Sequence, residues 1–124
     1  NDDRELFDAE IEAVRGVITV GAVNNFDEAT AFSNRGEAVD VVAPTGTLTT
    51  DIAGADGADP GDYTSSFGGT SSSCPVAAGV AGLLAHAAPD RTGTELSDAL
   101  ISTALPSPTC RHARRWRHLK GFRP

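Results

Sequence analysis

The sequence predicts an incomplete, three-layer α/β domain with a mostly parallel sheet, and three stretches carry that prediction. "GVITVGAV" (residues 16–23) and "VDVVAP" (residues 39–44) are β-branched and apolar on both faces, as in strands buried between two covering layers. "SSSCPVAAGVAGLL" (residues 71–84) reads as a helix without a polar face, which belongs in a large core. One buried helix and one surface helix cannot supply both covering layers. The 124 residues therefore read as part of a larger domain.

Taken in order, residues 1–15 are acidic with apolar side chains at Leu6, Phe7, Ile11 and Val14. They suit a short amphipathic turn or a surface loop. After the first strand, residues 24–38 are polar and carry Asn and Gly turn signals. Beyond the second strand, "TLTTDI" (47–52) is a third, weaker strand, and "AGADGADPGD" (53–62) is a loop. Pro75 falls in the first turn of the long helix, where the N–H it lacks would have had no intrahelical partner. Ala77, Ala78, Gly79, Ala81 and Gly82 let that helix lie close to a sheet, at a propensity cost of ~1 kcal/mol per glycine. Residues 88–103 read as loop, N-cap and a second helix from about Thr94, amphipathic through Leu96, Leu100 and Ile101.

Composition sets further bounds. There is no methionine, so the chain is expected to be a processed product, a fragment or a truncated form. No apolar run reaches the ~18 residues a membrane-spanning helix needs, and no cofactor or metal site is expected. Cys74 and Cys110 lack the paired spacing of a disulfide framework or zinc site; Cys74, within the apolar helix, reads as a small buried hydrophobe. All 17 acidic residues lie at or before Asp98, against four arginines, a balance of −13 for residues 1–106. Such a surface suits concentrated salt, where screening relieves self-repulsion, and an ordinary acidic protein has the same composition.

The chemistry gathers at "GGTSSSCPVAAG" (residues 68–79). A hydroxyl in the first turn of a helix sits beside unsatisfied N–H groups and the positive end of the dipole. Both favour the oxyanion formed when an alkoxide-like oxygen attacks a carbonyl. The competing local reading is that Ser71 or Thr70 simply caps the helix, as Ser and Thr commonly do.

This stretch resembles the nucleophile motif of the subtilisin-like serine proteases (subtilases). "VITVGAV", "AFSNRG" and "VDVVAPTG" occur upstream in the family's order and rough spacing, so the resemblance covers about residues 17–105. It implies a subtilisin-like fold, serine endopeptidase activity on peptide or protein substrates, and an extracellular location by family default. It assigns Ser71 as the nucleophile, with its own N–H as half of the oxyanion hole. Gly68 and Gly69 leave room for a substrate backbone. Asn1 stands where an Ala-Gly-Asn stretch would supply the side-chain amide of that hole. The family's Asp and His motifs would lie ahead of Asn1, in an N-terminal half needed to complete the site, so the isolated chain is expected to be inactive. Calcium sites occur in the family, and Asp40 lies near one of them, but a single carboxylate makes no metal site.

Residues 107–124 depart from the family. They carry six basic residues and no acid, and three readings stand: translation out of frame, a solvated disordered extension, or a nucleic-acid-binding arm with Trp116 and Phe122 for stacking. The division is thus 1–106 for the peptidase segment and 107–124 for a basic tail. The alternative function is a non-catalytic subtilase remnant whose tail binds polyanions.

Overall fold

Parallel pairing of the two apolar segments forms the centre of the structure. The computed structural model describes residues 14–36 and 38–106, together with the backbone at 117–118. Strand β1 (Val20–Val23) pairs in parallel with β2 (Val41–Pro44), Val20 opposite Val41 and Val23 opposite Pro44. After them come β3 (Thr47–Thr50), β4 (Tyr63–Phe67), helix α1 (Thr70–Ala87), helix α2 (Gly93–Thr103), β5 (Leu105–Pro106) and β6 (Arg117–His118). The main sheet has the order β1-β2-β6-β5, with β6 parallel to β2 and antiparallel to β5. Strands β3 and β4 form a separate antiparallel pair.

Alternation along the strands divides the core. Val41 points to the helical side, where it meets Ala77, Leu100 and Ala104, with Ile18, Val20, Val80 and Leu84 packed around them. Val42 points the other way and packs with Val23, Val39 and Ala29, beneath the segment that follows β1. Ser33 is buried in that segment, and its Oγ accepts the Ala22 N–H at 2.9 Å.

Three expectations are corrected. The described sheets are small and mixed rather than mostly parallel: β5 runs antiparallel to β6 in the main sheet, and the chain reverses through residues 51–62 to pair β4 back on β3 in a second one. Both helices lie on one side of the main sheet, so two layers of regular structure are present and a third is not among the described residues. The helix read as wholly buried has only Ser72, Ser73 and Ala77 buried; Cys74, Ala78, Gly79 and Gly82 are exposed and Leu83 is 65% exposed. Cys74 is therefore not the buried hydrophobe expected. That exposure follows because no described residue covers that face of α1. Of the basic tail, only the backbone of Arg117–His118 is described; the rest of that segment, Cys110 included, lies outside the described residues. Among the described residues no helix is long and apolar enough to cross a membrane.

The loop between β3 and β4 is closed by carboxylates. Asp51 accepts N–H bonds from Asp59 at 3.0 Å and Ile52 at 2.8 Å, which hold its carboxyl below the ordinary carboxylate range. Asp59 in turn accepts from Thr64 Oγ1 at 2.6 Å and the Ser65 N–H at 3.2 Å.

Helix α2 begins with a capping box. Thr92 Oγ1 accepts the Glu95 N–H, and the Glu95 carboxylate accepts the Thr92 N–H at 2.8 Å, so two orphan donors are satisfied reciprocally. Thr92→Ala is expected to cost ~1 kcal/mol, read as a lower melting temperature. The Thr92 N–H, the Thr92 hydroxyl and Arg91 hold the Glu95 carboxyl below its usual range. A depressed folded pKa contributes stability above the unfolded-state value and loses it as pH falls through the folded one. Glu95→Gln should therefore flatten part of the acid limb of a melting-temperature profile against pH; a limb unchanged in that variant contradicts the assignment.

Candidate active site

Both parallel strands end beside the first turn of α1. Thr45, the residue after β2, donates its N–H to Val23 O at the end of β1 (2.9 Å) and its hydroxyl to Gly69 O (2.8 Å). Open α/β sheets bind ligands outside the carboxyl ends of their strands.

Gly69 is the N-cap of α1, with φ 76° and ψ −175° and no side-chain cap. That backbone region is essentially reserved for glycine. It turns the chain sharply from Gly68 into the helix. The capping reading of the serines is thereby removed, since neither Thr70 nor Ser71 caps the helix. No acidic side chain occupies the first turn, so nothing there neutralises the positive dipole end.

Ser71, the expected nucleophile, is exposed. Neither its hydroxyl nor its N–H has a partner among the described residues. Its two successors behave differently. Ser72 is 1% exposed, and its Oγ lies 2.6 Å from Thr47 Oγ1. Ser73 is fully buried, with an Oγ that bonds to no described residue. Of the three adjacent serines, Ser71 is exposed and the other two are buried.

Gly68 is exposed and Gly69 half-buried, immediately before Ser71. Asn1 lies outside the described residues. His86 is in the last turn of α1, about 22 Å from Ser71 along the helix at 1.5 Å per residue, too far to serve it as a base. His112 and the side chain of His118 lie outside the described residues. Among the described residues no group of three or more His, Cys, Asp or Glu is arranged to hold a metal ion. Asp40 instead accepts the Thr19 N–H at 2.9 Å.

Reading by sequence missed the two threonines. Thr45 and Thr47 reach the helix from 24 and 25 residues away, and only a hydroxyl on each side of Gly46 hinted at it.

A strand–turn–helix with a free serine in the first helical turn, set at the ends of parallel strands, defines a candidate site for nucleophilic chemistry. Comparison with known proteins gives the class: the Subtilase family model matches residues 8–121, and the chain belongs to that family. It is 37% identical over 102 residues to a calcium-dependent protease of Nostoc sp. (strain PCC 7120), covering 68% of this chain and 15% of that protein. A subtilisin of Bacillus pumilus is 34% identical over 87 residues, covering 70% of this chain and 29% of the relative. The halolysin-like extracellular serine protease Nep of Natrialba magadii is 36% identical over 93 residues, covering 75% and 16%. Among solved structures, one of proteases from Pseudoalteromonas arctica PAMC 21717 matches with a TM-score of 0.63 and 26% identity, over 88% of this chain and 35% of that one. The chain thus spans 15% to 29% of the length of these curated relatives.

Proposed function

We propose that this chain is the nucleophile-bearing segment of a subtilisin-like serine endopeptidase acting on peptide or protein substrates. The observation that carries the reading is Ser71, exposed and unbonded in the first turn of α1, beside a glycine cap that leaves the helix end uncompensated.

In the intact site, an imidazole from polypeptide outside these 124 residues takes the Ser71 proton as Oγ attacks the substrate carbonyl. The Ser71 N–H and a side-chain amide, assigned to Asn1, donate to the oxyanion. Collapse of the tetrahedral species expels the amine, which takes the proton back from the imidazole. Water then releases the acyl group by the same route in reverse. Gly68 and Gly69 admit the substrate backbone. The same outside polypeptide supplies the orienting carboxylate and lies over the exposed face of α1. The family relationship also supports an extracellular location.

The test is complementation. Alone, the chain is expected to hydrolyse no casein. Mixed with a separately made upstream segment bearing the Asp and His motifs, it is expected to gain activity. Casein hydrolysis by the purified chain alone sinks the assignment of the base. Likeness to a halolysin-like protease and the acidic balance together support salt adaptation. Melting in molar KCl should then occur at a higher temperature than in 0.1 M KCl, and equal values would reject it.

A further inference from the structure

We propose that Thr45 and Thr47 are positioning residues for Ser71, a pair of hydroxyl latches that set where the nucleophile and its N–H stand. The inference rests on the reading of Ser71 as nucleophile and adds to it two residues from a different part of the chain.

Ser71 itself is held by no side-chain bond to a described residue, so its position depends on its neighbours. Gly69, two residues before it, has its carbonyl oxygen bonded twice: by Thr45 Oγ1–H at 2.8 Å and by the Ser72 N–H at 3.1 Å. Two donors fill both lone pairs of a carbonyl. Because the peptide is planar and trans, fixing that oxygen also fixes the direction of the Thr70 N–H on the opposite side. Ser72, the residue after Ser71, is tied through its buried Oγ to Thr47 Oγ1 at 2.6 Å. The nucleophile is therefore bracketed by two pinned points.

Both latches come from one three-residue turn. Gly46, with φ 78°, separates the two threonines, and the Thr45 N–H is itself bonded to Val23 O at 2.9 Å. The first turn of α1 is thus referenced to the ends of β1 and β2, the most deeply buried strands. A displacement of about 1 Å in reacting groups costs on the order of 10²-fold in rate, which is the effect expected when the latches are removed.

Two measurements separate positioning from mere stability. In the isolated chain, amide hydrogen exchange at Ser72 should rise at least about tenfold in Thr45→Val while the β1–β2 amides keep their protection. In the complemented mixture, the fluorophosphonate labelling rate of the Thr45→Val/Thr47→Val double variant should fall about 10²-fold. KM for a peptide substrate should change little, and Thr45→Ser/Thr47→Ser should recover most of the rate. Thr45→Val alone is the milder variant should the double change unfold the chain, since Gly69 O keeps its bond from the Ser72 N–H. Double-variant labelling at the parent rate overturns the inference and leaves the nucleophile reading standing, whether or not Ser72 exchange changes. A loss carried by KM, or one the serine variants fail to recover, also overturns it. If the parent mixture does not label at Ser71, the nucleophile reading fails and the inference falls with it.

Discussion

Replacing Ser71 with alanine is expected to end covalent labelling and to lower peptide hydrolysis by the complemented site on the order of 10⁶-fold, the size of the loss when subtilisin loses its nucleophile. The fold should not notice. Ser71 is exposed and its side chain bonds to no described residue, and alanine is the better helix former. Melting temperature should stay level or rise slightly while activity disappears. The same change at Ser72 would behave in the opposite sense: Ser72 is buried against Thr47, so its loss acts first on packing and hydrogen bonding. Retained labelling in Ser71→Ala, with the adduct at Ser72 or Ser73, would mean that the wrong hydroxyl has been chosen.

Gly69→Ala is expected to damage stability and activity together. An added Cβ has room, its nearest neighbour being the Ser71 nitrogen at 3.9 Å. The penalty lies in the backbone, because φ 76° with ψ −175° is a region that side-chain-bearing residues avoid at ~1–3 kcal/mol. Relaxing to negative φ would swing the Gly69 carbonyl away from Thr45 and move the entry into α1. A lowered melting temperature with at least a tenfold loss of labelling is therefore predicted. Gly68→Ala provides the control, since Gly68 has no positive φ and an added Cβ would meet only Thr45 Oγ1 at 3.9 Å; its stability should match the parent. A Gly69→Ala chain that melts and labels like the parent would show that the turn is not needed.

The sequence made some of this structure legible and hid the rest for physical reasons. Runs of valine and alanine announced β1 and β2, because a doubly covered strand has no polar face to keep. They overstated the start of β1. Gly16 takes φ 93°, and the Thr19 N–H bonds to the Asp40 carboxylate, so ladder pairing begins only at Val20. Strand β4 went unread because "YTSSF" has no apolar pattern; it forms by main-chain pairing with β3 across a loop closed by Asp51 and Asp59. The exposure of Cys74 and Leu83 could not be read from residues chosen to be buried. Composition records the environment a helix is built for, and the described residues supply only one side of it.

The candidate site divides in the same way. The entry of the chain into α1 at Thr70 and Ser71 was legible, because local backbone geometry follows from local sequence. Thr45 and Thr47 were not, since a contact made across 24 or 25 residues leaves no periodicity to detect. The distance of His86 from Ser71 was also legible, since its place at the far end of α1 follows from the unbroken helix.

The most direct test is to treat the chain with a fluorophosphonate, alone and after mixing with the upstream segment, and to locate the adduct by peptide mass spectrometry. The account predicts no adduct on the chain alone and stoichiometric modification of Ser71 in the mixture. Modification of the chain alone at a comparable rate, or of any residue other than Ser71 in the mixture, would contradict it.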